Sequence, residues 1–325
     1  VPLRKEQVMI NTILDVNGIT IGQAHDDEVR TGVTVVLPDK PANCSVDVRG
    51  GGPGTREIDA LNDGGLIDKV HAICLSGGSV YGLAAADGVC AWLGEKRLGY
   101  EVGPSPIPVS PIVPSAILFD NANGGDKNWG ITPPFRNLGV LACESASKQM
   151  DLGKIGAGYG AMSGIYNGGV GSASEVCKEF TVGAIIAANS VGSPYMPKTK
   201  CPWAWPYEIN NEFGGMRPPE NYKYTTPDDT KLSFLNTPGQ STVIGVVAIE
   251  ANLTQKQLKR IAIMAQDGIA MAVQPSHTPL DGDTIFAIST GHKPCDNPAI
   301  LSELGSAAAR CVARSLMRAV YEASK

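Results

Sequence analysis

Two hydroxyl residues, Ser241 and Thr242, stand directly before the apolar run Val243-Ile-Gly-Val-Val-Ala, and Asp281 and Asp283 flank one glycine in Pro279-Leu-Asp-Gly-Asp-Thr. A hydroxyl at the mouth of a buried strand can serve as a positioned nucleophile, and two carboxylates one residue apart can orient the groups that donate and accept its proton. A threonine at the start of a chain also carries its own base, because an α-amino group titrates near about 7.7 to 8.0 and takes the hydroxyl proton at neutral pH. Inside a chain the same residue has no such base. Its hydroxyl must first attack the preceding carbonyl, move the acyl group from nitrogen to oxygen, and let water free the new terminus. The pattern predicts an enzyme that cuts itself to become active.

The elements that must position these groups are short. Val33 to Leu37, His71 to Ser76, Phe180 to Asn189, Val243 to Glu250 and Asp283 to Thr290 are β-branched or nearly continuous apolar runs, as expected of strands buried on both faces. After the first motif, Thr254 and Gln257 form a capping-box pattern, and Leu258, Ile261, Ala262, Ala265, Ile269 and Ala272 share one helical face until Pro275. Asn297-Pro298 starts a second helix, with Leu301, Leu304, Ala308, Cys311, Val312 and Leu316 as its stripe. Gly82 to Lys96 reads as a third, alanine-rich helix. Strands and helices interleave throughout, which predicts an α/β layered domain; periodicity leaves the number of sheets open.

Residues 194 to 240 break the pattern. They hold many prolines, Trp203, Trp205, Tyr207, Tyr222 and Tyr224, and few aliphatic runs, as in a long surface excursion of the functional or mobile kind. Asn236-Thr237-Pro238-Gly239-Gln240 is turn chemistry that delivers the chain to Ser241 and Thr242.

With 325 residues, 43% of them hydrophobic, the chain can bury a large core. A net charge of -5 with both signs mixed leaves no electrostatic footprint for nucleic acid or an anionic membrane, so small molecules or peptides are the expected partners. No apolar run reaches membrane-spanning length, and Val1-Pro-Leu-Arg-Lys-Glu lacks the apolar core of a signal peptide. A soluble, cytoplasmic protein is expected. Of the eight cysteines, Cys74, Cys90, Cys143 and Cys311 lie in apolar segments typical of buried free thiols, which fits a reducing compartment.

Other motifs carry less. Gly77-Gly-Ser-Val-Tyr-Gly82 misses the spacing of a nucleophile elbow by one residue and reads as a tight strand-to-helix turn whose N–H groups line a pocket. The turn at 50 to 54 lacks the Gly-Lys ending of a phosphate loop. Asp-Gly-Asp lacks the remaining ligand positions of an EF-hand, and His25, His71, His277 and His292 show no metal spacing and read as structural.

The segments Arg49-Gly-Gly-Gly-Pro-Gly-Thr-Arg-Glu, Leu75-Ser-Gly-Gly-Ser-Val-Tyr-Gly-Leu-Ala-Ala-Ala-Asp-Gly-Val, Pro111-Ile-Val-Pro-Ser-Ala-Ile-Leu-Phe-Asp, Gly156-Ala-Gly-Tyr-Gly-Ala and Gly168-Gly-Val-Gly-Ser-Ala-Ser recur in one order with the two opening motifs. Together they resemble the DmpA-type aminopeptidase and nylon-oligomer hydrolase family across most of the chain. The resemblance implies a layered α/β/β/α sandwich of the N-terminal-nucleophile-hydrolase kind and a homotetramer of αβ units. It also implies cleavage into 1–241 and 242–325, with Thr242 as nucleophile; the neighbouring Ser241 hydroxyl is the rival. It places Asn189 as the oxyanion donor and Asp281 with Asp283 as the pair that orients the threonine amine and hydroxyl, with a cationic substrate amine as a further partner. Paired aspartates mark the nylon-oligomer branch, whereas the β-aminopeptidase branch has serine and glutamate there. Two departures stand out. That branch carries a lysine after the Gly-Ala-Gly turn where this chain has Ile165 or a neighbour, with Tyr166 and Asn167 as polar substitutes, and Phe119 lies where the family places a tyrosine.

The expected activity is hydrolysis of amide bonds in amino-acid oligomers or short peptides through an acyl-enzyme on Thr242, with no metal or organic cofactor. A DmpA-like aminopeptidase or esterase, an acyltransferase of the ornithine acetyltransferase type, and a non-catalytic binding protein are the alternatives.

Overall fold

The computed structural model describes residues 9–62, 64–234 and 241–325; the turn at 236–240 and the first eight residues lie outside them. In chain order the strands of the first half are β1 (Ile19–Asp26), β2 (Thr31–Pro38), β3 (Ala42–Val48), β4 (Thr55–Arg56), β5 (Lys69–Val70), β6 (Ile73–Ser76) and β7 (Ser115–Ile117). The remainder are β8 (Met162–Ser163), β9 (Tyr166–Asn167), β10 (Gly169–Cys177), β11 (Phe180–Ala188), β12 (Ile244–Ile249) and β13 (Thr284–Ser289). The α-helices are α1 (Ala85–Glu95), α2 (Phe135–Glu144), α3 (Gln255–Ala270) and α4 (Pro298–Ala323).

Two mixed sheets result, one ordered β1-β2-β6-β7-β4 and the other β10-β11-β12-β13-β3-β5, with β8 and β9 forming a separate hairpin. Side-chain alternation explains why the strands read as continuously apolar. Ile244, Val246 and Ala248 of β12, with Phe286 and Ile288 of β13, meet Ile73, Leu75 and Val36 of the other sheet in a central core. The alternate residues Val247, Ile249, Ile285 and Ala287 face α3 and α4, while Val33, Val35 and Cys74 face α1 and α2. A strand with apolar partners on both faces has no polar side to betray its period. The layers therefore stack helix, sheet, sheet, helix, as the resemblance implied.

The expected helices form with their caps. The Thr254 hydroxyl accepts from Gln257 N at 3.3 Å while the Gln257 side chain accepts from Thr254 N at 2.8 Å, and Asn297 Oδ1 accepts from Ala299 N at 2.9 Å. Each such cap satisfies backbone donors that a helix start leaves open, worth about 1 kcal/mol. The alanine-rich helix differs in its first turn, which is a 3-10 segment from Ser79 to Ala84 entered through Gly78 at φ 82°. That left-handed conformation lets the chain turn sharply off β6, and the Gly78 N–H is held by Asp120 Oδ1 at 2.7 Å. β1, β3, β10 and α2 carry polar or small residues and have no counterpart among the runs read from the sequence.

All eight cysteines are free, and all are buried except half-exposed Cys90. Among the described residues, no helix is long and apolar enough to cross a membrane.

The stretch beginning at residue 194 is anchored rather than loose. Cys201, Ala204 and Phe213 are buried, and Glu212 pairs with the buried Arg314 of α4 at 2.6 Å. Asp229 Oδ2 accepts from Tyr166 at 2.7 Å and Ser193 at 2.8 Å. The Asp229 carbonyl accepts from Ile165 N at 3.3 Å, and Lys231 N donates to Val191 O at 3.0 Å.

Candidate active site

Strand register assembles the site. β11 and β12 are antiparallel with Ala187 opposite Ile244, so Asn189 falls opposite Thr242 just beyond the strand ends, and Thr242 N donates to Asn189 O at 2.8 Å. β12 and β13 are parallel, with Ser241 bridged to Asp281. β13 and β3 are antiparallel, which brings Gly50 beside Gly282. One edge of four neighbouring strands thus carries Asn189, Thr242, the Asp281-Gly282-Asp283 turn and the Arg49–Gly52 turn, whose Gly52 N donates to Asp281 O at 2.8 Å.

Thr242 is buried, and its hydroxyl donates to the Ser241 carbonyl at 2.6 Å. The same carbonyl oxygen accepts from Gly282 N at 2.9 Å. Glycine is required at 282 because a Cβ there would lie 2.7 Å from Gly52 O and 2.8 Å from Thr242 Oγ1. The rival Ser241 hydroxyl is also buried, and no hydrogen-bond partner meets it among the described residues.

The aspartates hold the frame around Thr242 rather than its hydroxyl. Asp283 Oδ1 accepts from Val243 N at 2.8 Å, and its Oδ2 meets His277 Nδ1 at 2.7 Å and His277 N at 3.1 Å. Asp281 Oδ1 accepts from Val191 N at 3.1 Å, and its Oδ2 from Thr278 N and Oγ1 at 2.9 and 2.7 Å. Burial, reinforced by the charge of Asp283, pushes the Asp281 carboxyl up to about 6. Burial alone would depress His277, but the Asp283 hydrogen bond and charge outweigh it and raise its pKa. His277 is thus tied to the site, which no metal or catalytic spacing in the sequence signalled.

Asn189 is held from every side. Its Oδ1 accepts from Met162 N and from Lys231 Nζ, both at 3.0 Å, and its Nδ2 donates to Phe119 O at 2.9 Å. An amide with two donors on its oxygen is locked in one orientation, which leaves the second Nδ2 proton for another acceptor. Phe119 joins the site through its carbonyl. Its neighbour Asp120 is buried, and burial pushes that carboxyl up to about 6 against the pull of Thr31 and Gly78.

Lys231 is a second site residue, after His277, that the sequence does not signal. Its Nζ also donates to Asn189 O at 3.1 Å, and burial pulls it down to about 7, with the charge of Asp281 opposing the shift. It comes from the proline-rich stretch, where nothing in the local pattern distinguishes it from a solvated surface lysine. In space the segment around Ile165, where the resemblance looked for a lysine, hydrogen-bonds Asp229, two residues before Lys231.

The model of Peptidase family S58 matches residues 11–325. The chain belongs to peptidase family S58. An uncharacterised aminopeptidase of Mycobacterium tuberculosis is 40% identical to this family S58 member over 97% of this chain and 94% of its own. A 6-aminohexanoate-oligomer endohydrolase of Kocuria sp. is 29% identical over 85% of this chain and 74% of its own. Among solved structures, the L-aminopeptidase D-Ala-esterase/amidase of Ochrobactrum anthropi, described as a variant of the Ntn hydrolase fold, superposes with a TM-score of 0.70 at 21% identity, covering 98% of this chain and 88% of that one. A Burkholderia sp. β-aminopeptidase gives 0.68 at 21% identity, covering 96% and 86%. Family membership and fold agree with the resemblance seen in the motifs, and the chain is a hydrolase of the amide-cleaving class.

Proposed function

We propose that this hydrolase activates itself by breaking the Ser241–Thr242 bond and then works as an N-terminal threonine amidohydrolase made of chains 1–241 and 242–325. The observation that carries the reading is the Ser241 carbonyl, which receives the Thr242 hydroxyl at 2.6 Å and the Gly282 N–H at 2.9 Å. Attack of Thr242 Oγ1 on the Ser241 carbonyl carbon puts negative charge on that oxygen, where the Gly282 N–H already points. Collapse breaks the C–N bond, the nitrogen takes the hydroxyl proton, and water hydrolyses the resulting ester to leave a carboxylate on Ser241 and a free amine and hydroxyl on Thr242. In turnover the same hydroxyl attacks the substrate carbonyl while the α-amine accepts its proton and returns it to the leaving nitrogen. The second Nδ2 proton of Asn189 serves the substrate oxyanion. Asp283 fixes the backbone after Thr242 through Val243 N, and Asp281 fixes the flanking Val191 and Thr278.

Substrates of this reading are amides next to an amine: aminohexanoate oligomers, as the name of the Kocuria relative and the aspartate pair suggest, or short peptides, as the names of the aminopeptidases suggest. The enzyme is proposed to act in the cytoplasm, without a cofactor, as a homotetramer of αβ units. Intact-mass measurement of the purified protein tests the core of the proposal. Two species meeting at Ser241 and Thr242 are expected, with Thr242→Ala uncut and inactive. A wild-type chain that hydrolyses aminohexanoate oligomers or aminoacyl anilides while staying whole would refute it, and a cut one bond earlier would transfer the role to Ser241.

A further inference from the structure

Lys231 approaches the reacting centre from a segment that shares no strand or helix with the other site residues. Its Nζ and the Thr242 nitrogen donate to one acceptor, the Asn189 carbonyl oxygen, at 3.1 and 2.8 Å. The two nitrogens are therefore no more than about 6 Å apart, a separation at which two positive charges repel appreciably in a partly desolvated site. In the uncut chain the Thr242 nitrogen is an amide. After cleavage it is an amine that must be unprotonated to act as a base.

We propose that Lys231 is the positioning residue that holds the Thr242 α-amine in its free-base form: its charge and the amine's proton compete for the same carbonyl, and the site does not hold both at working pH. The inference rests on the self-processing reading above. The surroundings support it. Asp281 is the charged neighbour that acts on Lys231, with Asp283 and His277 one contact further out. Asp229, on the same segment, is engaged by Tyr166 and Ser193. Asn189 and Phe119 contribute only uncharged groups. With its amide oxygen on Lys231, Asn189 also keeps its Nδ2 directed away from the lysine, so one contact serves both the oxyanion donor and the base. Desolvation brings the basicity of Lys231 down toward that of the amine, so the two nitrogens share one proton rather than each holding its own.

The test uses the processed enzyme. Competitive acylation of the Thr242 amine as a function of pH, read by mass spectrometry of the first peptide of the 242–325 chain, should give a pKa below the ordinary range of about 7.7 to 8.0. Lys231→Met should move the acid limb of the kcat/KM profile up by about one pH unit, about tenfold in rate at a fixed acidic pH, and Lys231→Arg should keep the limb at or below its wild-type position. A wild-type amine that titrates in the ordinary range or above overturns the proposal, as does a folded, cut Lys231→Met enzyme whose acid limb has not moved. If Lys231→Met does not fold, the wild-type titration and the arginine variant decide. A wild-type chain that is never cut removes the self-processing reading and this inference with it, whereas a cut chain with an ordinary amine removes this inference alone.

Discussion

Gly282→Ala is the sharpest probe of the proposed self-cleavage, because it adds one carbon at the point where three segments converge. An ideal Cβ at 282 lies 2.7 Å from Gly52 O, 2.8 Å from Thr242 Oγ1 and 2.9 Å from Pro53 Cα. Ordinary contact begins at 3.4 Å, so the Gly52 carbonyl and the threonine hydroxyl must each retreat by about 0.6 to 0.7 Å. Two of the three obstructing atoms are backbone and cannot swing aside. Overpacking of this kind costs about 1–3 kcal/mol. The kinetic effect should be larger, since the hydroxyl is held 2.6 Å from the Ser241 carbonyl oxygen and, in the proposed acyl shift, misplacement by about 1 Å costs about 10²-fold. Time-resolved intact-mass measurement after expression or dilution from denaturant reads the cleavage rate, and thermal unfolding reads the stability. Gly94→Ala is the control: nothing lies within 4 Å of its added carbon, it sits in α1, and it should be neutral or stabilising by up to about 1 kcal/mol with normal cleavage. A Gly282→Ala chain that is cut at the wild-type rate would refute the geometry proposed for the acyl shift.

Four further outcomes are expected. Asn189→Ala should lower turnover by about 10²–10³-fold, measured on chains already cut, because it removes the proposed oxyanion donor. Glu212→Ala leaves the buried Arg314 guanidinium without its carboxylate and should destabilise the protein by about 3–5 kcal/mol in denaturant unfolding. Asp120 has its folded pKa raised to about 6, so the fold favours its neutral form; its stabilising contribution is complete below the unfolded value near 3.8 and is lost as pH rises through 6. Asp120→Asn, neutral at every pH, should therefore gain in melting temperature relative to wild type between about pH 4 and 6. Asp283→Asn removes the carboxylate that raises His277, so the His277 ring should titrate at lower pH by NMR; an unchanged titration would show that Asp283 does not set its charge.

Much of the site was legible because its chemistry is local. Hydroxyls before an apolar run, carboxylates around a glycine and an asparagine at a strand end are patterns of neighbours along the chain, and the capped helices at Thr254 and Asn297 follow from equally local rules. Parts of the family motifs fall at tight turns, such as Gly50–Gly52 and Gly78, where close backbone approach or a left-handed conformation restricts the residue. Strands such as β10, Gly169–Cys177, were not legible, because their small and polar residues are buried against α4 by tertiary contact rather than by any hydrophobicity of their own.

Sequence alone determined that a threonine could be given an amine by one bond cleavage, since that depends only on which residue stands at 242 and what precedes it. Tertiary structure decided which groups surround that threonine. The parallel pairing of β12 with β13 brings Gly282 to the Ser241 carbonyl, and the antiparallel pairing with β11 brings in Asn189, across separations that no linear spacing encodes. Lys231 is the clearest case. A lysine among prolines reads as solvated because charge is costly to bury, and only the return of residues 229–231 against the β8–β9 hairpin and the end of β11 turns it into a part-buried donor on Asn189.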